Sequence, residues 1–167
     1  MQTRKRAVTR PLPTSWKCGA NQVDQPPGTT RIMRDNLVLL AGRLLLAWIF
    51  LHEGILLAAN FSTAAAAMAK SGVPGPVLVA VIALQLVAGA AIAAGWNARC
   101  GAAALGLFCV ATAVLFHTNF AVRNELLHFE KDIAIAGGML VLMLVGPGDW
   151  SIDGLIRARR EGLARAR

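Results

Sequence analysis

The sequence predicts an all-α integral membrane protein, a four-helix bundle with a disordered basic arm at its N-terminus. Of the 167 residues, 56% are hydrophobic and only 16% are charged, whereas soluble domains are about 45–50% apolar and about 25% charged. The apolar residues form segments close to the length of about 20 residues that crosses a bilayer. The Lys and Arg residues, which outnumber Asp and Glu by 17 to 9, lie mainly near the two ends of the chain.

The N-terminal arm, residues 1–36, is polar and basic, and its scattered prolines oppose a stable helix. No apolar segment follows the early basic cluster at the distance typical of a signal peptide. We therefore expect a disordered cytoplasmic arm. Met33, directly before the first apolar segment, is a second candidate start besides Met1.

The first predicted span covers residues 37–59. At about 1.5 Å per residue this segment reaches about 34 Å, which is enough to cross the apolar core of a bilayer. After this span, residues 62–70 are rich in Ala and predict a short helix. The Gly- and Pro-containing segment 71–76 ends that helix and leads into the second span.

The second and third spans form a predicted hairpin. The second covers residues 77–96, and the third begins near Cys100 and ends near His117. Because only residues 97–99 separate them, the two helices must run antiparallel. Both contain pairs of small residues at four-residue spacing, which lets helix backbones approach closely in lipid.

The fourth span combines an apolar half with a charged half. Residues 133–145 are apolar but too few to cross a bilayer alone. Extending the helix back to Glu125 gives sufficient length and brings in four polar side chains: His128, Glu130, Lys131 and Asp132. We expect these side chains to face an interface, a polar cavity or partner helices.

The chain ends in a basic tail. Gly146, Pro147 and Gly148 terminate the fourth helix. Residues 155–167 contain five Arg and predict a cytoplasmic helix that lies on anionic lipid headgroups. Residues 37–154 then form the membrane domain between the arm and the tail.

The positive charges predict the orientation of the chain. Apart from Arg43, which lies inside the first span, only Lys70, Arg123 and Lys131 would face the outer side if the N-terminus is inside. This bias places both termini in the cytoplasm. Nucleic acid is not an expected partner, because the chain has no Tyr and only six Phe and four Trp to stack on bases.

Several motifs together are similar to a known family. They are Arg43 with the following LLLAWIFLHEGI, the segment SGVPGP, the turn from Gly95 to Arg99, His117, and the stretch HFEKDIAIAGGMLVLMLVGPGDWSID. In this order and spacing the chain resembles the DoxX family of small four-helix bacterial membrane proteins over about residues 37–154. Many relatives have Asn where this chain has Asp132, and a Lys soon after the first-span Gly, where this chain has Leu56 and Leu57.

The resemblance implies a multi-pass four-helix bundle in the inner membrane. It also implies a link to quinone-dependent thiosulfate oxidation, from which the family takes its name. Many members have no assigned activity, so the resemblance alone does not establish an enzyme. The resemblance suggests a quinone as the cofactor and subunits of redox enzymes as the partners. A homo-oligomer is also compatible with the sequence.

Polar side chains inside the spans are the candidate functional residues, because such groups are costly in lipid. Most of them lie towards the outer side, on three helix ends at similar depth. One interpretation is a polar pocket, open to the periplasm, that receives a quinone headgroup. The candidate catalytic residues are then Glu53, His117 and Lys131, and the candidate cofactor-binding residues are His52, His128 and Asp132. The alternative is a network of ion pairs that stabilises the bundle.

Two contacts between helices follow from depth in the membrane. Arg43 lies near the inner end of the first span, where the fourth helix returns and delivers Asp149 and Asp153. We expect the guanidinium to reach one of these carboxylates or the last helix carbonyls. At the outer side, Glu53 and Lys131 lie at nearly equal depth and are expected to pair, joining the first and fourth helices.

No metal site is predicted. The adjacent His52 and Glu53 do not form the HExxH arrangement. His128 and Asp132 share a helical face and could bind zinc, copper or iron with His117 or Glu53. Histidines near membrane ends are more often simply interfacial, so this alternative is not preferred.

Three functions are compatible with the sequence. The first is an accessory or quinone-reactive subunit of a membrane redox system. The second is a structural or partner-recruiting membrane protein without catalysis. The third is a small transporter, since small multidrug exporters also have four spans and a Glu in the first helix. The strong bias of positive charge disfavours this function, because it suits one fixed orientation in the membrane, whereas some such exporters insert in both orientations.

Overall fold

Six helices make up the part of the chain that the structure describes. The computed structural model describes residues 29–70 and 72–166, and within them it contains no strand. The helices are α1 (Thr29–Ala59), α2 (Phe61–Lys70), α3 (Gly75–Ala94), α4 (Ala98–Phe116), α5 (Arg123–Val145) and α6 (Ile152–Arg165). The predicted all-α membrane bundle is confirmed.

Three of these helices, α1, α3 and α4, are long and apolar enough to cross a membrane. The fourth helix of the bundle, α5, has 23 residues, but its first half carries the charged segment from Glu130 to Asp132. Its second half is as apolar on the outside as the other helices: Leu144 of α5 is 72% exposed and Leu107 of α4 is 71% exposed. We therefore describe four bundle helices, of which α5 is the least apolar.

The four long helices pack in sequence order. α1 packs against α3, α3 against α4 and α4 against α5, and α5 also touches α1. Phe50, Ile92, Leu105 and Met139, one from each helix, belong to the shared apolar core. A small residue brings α4 and α5 close together, since a Cβ on Gly106 would lie 3.1 Å from the Cβ of Met139.

α1 begins at Thr29, earlier than the predicted end of the disordered arm at residue 36. The side chain of Asn36 explains this difference, because it is buried and bonded to another part of the chain. Its Nδ2 donates to Asp149 Oδ2 at 3.3 Å, and its Oδ1 accepts from the backbone N–H of Asp149 at 3.0 Å. These bonds anchor α1 at residue 36, from which the helix extends about two turns further towards its N-terminus. The prediction for residues 1–28 lies outside the described residues.

The predicted tight turn joins α3 to α4. Gly95 ends α3 with a positive φ of 69°, and the N–H of Trp96 donates to the carbonyl of Ala91 at 2.9 Å. α4 begins at Ala98 rather than at Cys100. The carboxylate of Asp153 accepts from the backbone N–H groups of Asn97 and Ala98 at 2.9 and 3.2 Å, so it caps this helix from outside.

Candidate functional site

Polar side chains collect at both ends of the bundle. At the end where α1 begins and α5 finishes, Arg43 is only 3% exposed. Its Nη1 donates to the carbonyl of Pro147 and its Nη2 to the carbonyl of Trp150, both at 3.0 Å. The guanidinium thus fixes the loop between α5 and α6 to the side of α1.

Of the two alternatives expected for Arg43, the ion pair with Asp149 or Asp153 does not form among the described residues. The other, backbone carbonyls at the end of the fourth helix, is close to what the structure shows, although the acceptors lie just beyond α5. Gly146 and Gly148 have positive φ values of 88° and 78°, and carbonyls of the loop that they shape accept from the guanidinium instead. Both carboxylates have other partners: Asp149 binds Asn36 and Arg157, and Asp153 caps α4.

The same end contains a helix cap that the sequence analysis missed. Ser151 Oγ accepts from the backbone N–H of Gly154 at 3.0 Å and starts α6 at Ile152, before the predicted tail at residue 155. A Ser directly before an amphipathic segment is a recognisable signal for such a cap. We call Asn36, Arg43, Asp149, Ser151 and Asp153 the arginine cluster.

The opposite half of the bundle contains a polar pocket of about 170 Å³. All four long helices contribute to it. Its lining consists of Ile49, Phe50, Glu53, Gln85, Phe108, Cys109, Thr112, His117, Lys131, Asp132 and Ile135. The structure therefore brings together four of the candidate residues predicted from the sequence, Glu53, His117, Lys131 and Asp132, while His52 and His128 do not line the pocket.

Those two histidines lie beside the pocket. His52 is exposed and stacks on Trp48, with ring centroids 6.1 Å apart. His128 stacks on His117 with ring centroids 5.1 Å apart. The role of His52 and His128 as cofactor ligands stays a prediction, and only His128 contacts a residue of the pocket wall through its ring.

The polar groups of the wall are held from α4 and α5. Thr112 Oγ1 donates to Asp132 Oδ2 at 3.0 Å, and His117 Nδ1 lies 2.8 Å from Glu125 Oε2. Lys131 Nζ lies 3.4 Å from His128 Nδ1. These contacts orient the α4 and α5 side of the pocket.

Glu53 and Lys131 face the same pocket, but among the described residues they form no ion pair. Both side chains are exposed, so water or lipid headgroups can solvate them separately. Lys131 instead approaches His128, which lies one turn earlier on α5. The predicted contact between α1 and α5 exists, but this pair does not make it.

Gln85 is the functional candidate that the sequence analysis did not select. It is the one strongly polar side chain of α3, it is 6% exposed, and its Oε1 has no hydrogen-bond partner in the described part of the chain. Its position in an otherwise apolar span was the available signal. A buried acceptor without a partner costs about 1–3 kcal/mol, which makes Gln85 a candidate to accept a hydrogen bond.

The other missed wall residues carry weaker signals. Phe50, Phe108, Cys109 and Thr112 are ordinary constituents of a membrane helix, and only the packing of the helices places them at the pocket. In residues 29–70 and 72–166 no group of three His, Cys, Asp or Glu side chains is arranged to hold a metal ion.

Fold and site together define a small α-helical membrane protein with a polar pocket between its spans. The chain belongs to the DoxX family, whose family model matches residues 38–118. It is 35% identical to the inner membrane protein YqjF of Escherichia coli (strain K12), over 75% of this chain and 96% of that protein. It is 33% identical to the inner membrane protein YphA of the same organism, over 70% of this chain and 89% of that protein. No solved structure matches the chain.

Proposed function

We propose that the polar pocket binds the headgroup of a membrane quinone, and that the chain acts as a quinone-reactive or accessory subunit of an inner-membrane redox system. The observation that carries this proposal is the buried Oε1 of Gln85, which has no partner within the described residues and lies on the pocket wall. A headgroup hydroxyl that donates to this oxygen would remove the cost of leaving it unpaired.

The pocket is large enough for the six-membered ring of such a headgroup, and its lining suits that ring. A cavity of about 150 Å³ admits a benzene ring, and this pocket has about 170 Å³. Phe50 and Phe108 supply aromatic surface on which a ring packs. A reduced headgroup would donate to Gln85 and Glu53, and an oxidised one would accept from Lys131. The quinone supplies two-electron redox chemistry when it is bound, while these side chains bind and orient it.

The binding proposal is tested on the full chain in lipid nanodiscs, with a short-chain ubiquinol, kept reduced, as the titrated probe. We expect saturable binding by the wild type. Gln85→Leu should weaken binding of the ubiquinol about tenfold, since an unmatched buried hydroxyl costs about 1–3 kcal/mol and about 1.4 kcal/mol corresponds to a factor of ten. Glu130→Gln is the matched control, because Glu130 is exposed and does not line the pocket.

Thermal unfolding separates lost binding from lost folding. Gln85→Leu removes a buried unpaired acceptor, so the variant should be at least as stable as the wild type. If the wild type shows no saturable binding of oxidised or reduced probe, the pocket is a structural feature and the alternative of a non-catalytic, partner-recruiting protein is favoured.

We also propose that both termini lie in the cytoplasm, which puts the pocket near the periplasmic side. The distribution of Lys and Arg supports this orientation. Reporter fusions after Lys70 and after Arg123 are expected to read periplasmic, and fusions after Arg99 and after Arg167 cytoplasmic. A periplasmic fusion after Arg167 would contradict the orientation.

A further inference from the structure

A cleft of about 560 Å³ lies where the turn between α3 and α4 meets α6. It is separate from the polar pocket and at the other end of the bundle. Its lining consists of Trp96, Asn97, Asp153, Ile156, Arg157, Arg160 and Glu161. We call it the α6 cleft.

The lining of the α6 cleft has two guanidinium groups, Arg157 and Arg160, and two carboxylates, Asp153 and Glu161, while α6 as a whole has four Arg against two acidic residues. Asp153 is engaged in capping α4 through the N–H groups of Asn97 and Ala98. Arg157 donates from one nitrogen to Asp149 at 2.9 Å, and its side chain remains 56% exposed. Arg160 is exposed and makes no hydrogen bond or ion pair within the described ranges. Within the described part of the chain, the guanidinium of Arg160 and the remaining N–H groups of Arg157 therefore have no acceptor.

An apolar surface adjoins these guanidinium groups. At about 100° per residue along a helix, Ile152, Leu155, Ile156 and Leu163 share one face of α6 and are all exposed. Arg159 lies on the same face between them. Trp96 and Trp150 are exposed at the same end of the bundle, at 58% and 46%. Trp residues are enriched where membrane proteins cross the boundary between headgroups and acyl chains.

We propose that the α6 cleft binds the phosphate of an anionic phospholipid, with Arg157 and Arg160 as donors and the apolar face of α6 among the acyl chains. Guanidinium groups bind phosphate oxygens through two parallel hydrogen bonds. The apolar face selects a lipid over a free phosphate, because a soluble ligand would leave that face in water. A second copy of α6 is a poor occupant, because its arginines would repel these.

The test uses the full chain in vesicles of phosphatidylcholine that contain brominated phosphatidylglycerol as the probe. Bromine quenches the fluorescence of nearby Trp, so all proteins carry Trp16→Phe and Trp48→Phe, which leaves Trp96 and Trp150 as the reporters. We compare Arg157→Gln/Arg160→Gln with Arg31→Gln/Arg165→Gln, which removes the same charge from the same end of the bundle but from outside the cleft and the apolar face. The first pair should lower the affinity for the probe relative to phosphatidylcholine by about tenfold or more, and the second by less than about fivefold, the effect of general surface attraction.

Each other outcome overturns the proposal in a definite way. Equal losses in the two double variants would show general attraction to a charged surface without a site. Competition by soluble glycerol phosphate would show a site for free phosphate. Concentration-dependent cross-linking between α6 helices would show that a second copy covers the face. Because Arg160 makes no contact that folding needs, Arg160→Gln alone should give part of the loss with an unchanged unfolding temperature.

Discussion

Replacing Arg43 with alanine is expected to destabilise the folded chain by about 3–5 kcal/mol, which is among the largest effects of a single substitution in this protein. The substitution removes the donors to the carbonyls of Pro147 and Trp150 and leaves a cavity beside α1. A buried carbonyl without a donor costs about 1–3 kcal/mol. The measurement is unfolding of the purified chain in detergent.

Two further substitutions separate the hydrogen bonds of Arg43 from its charge. Arg43→Lys keeps the charge but lacks the planar fork that reaches two carbonyls at once, so we expect an intermediate loss. Arg34→Ala removes an exposed Arg from the same helix and should change stability by less than about 0.5 kcal/mol. Equal stability of Arg43→Ala and Arg34→Ala would show that the arginine cluster does not hold the loop.

Gly95→Ala is expected to destabilise the chain by about 2 kcal/mol or more. Gly95 has a φ of 69°, and a left-handed conformation costs an L-residue about 1–2 kcal/mol. In addition, an added Cβ would collide with Arg43 Nη1 and with the Cβ of Ser151. The collision disturbs the same arginine that holds the loop after α5.

The matched control is Gly137→Ala in α5, where an added Cβ meets nothing within 4 Å. An Ala in a helix is favoured over Gly by about 0.5–1 kcal/mol, so this variant should be as stable as the wild type or more stable. Unfolding of both variants under the same conditions checks the prediction. Similar stability of the two would mean that the turn tolerates a side chain and adjusts around it.

The sequence predicted the elements of the fold well because hydropathy and turn residues are local signals. The apolar segments, the short hairpin turn and the Gly-Pro-Gly segment predicted where most of the helices begin and end to within a few residues. The start of α1 was missed because the bonds between Asn36 and Asp149 join distant parts of the chain. A contact of this kind cannot be predicted from the residues next to it in the sequence.

The candidate site was predicted in part for a geometric reason. Position along a helix gives depth in the membrane, so Glu53, His117, Lys131 and Asp132 were expected at one level, and all four line the pocket. The direction in which a side chain points changes by about 100° with each residue, and only the packing of four helices settles it. For Arg43 the sequence left carboxylates and backbone carbonyls both open, because carbonyls accept hydrogen bonds at every position whatever the side chain is.

Photolabelling with a quinone that carries a photoreactive group on its ring tests the central claim most directly. The full chain is labelled in liposomes, and the modified peptides are identified by mass spectrometry. We expect saturable labelling of the pocket wall on α3 and α4, near Gln85, Cys109 and Thr112, and loss of this labelling when an excess of unmodified short-chain ubiquinone is present. The account would be contradicted if labelling were confined to the outward faces of α4 and α5, near Leu107 and Leu144, and did not decrease when the competitor was added.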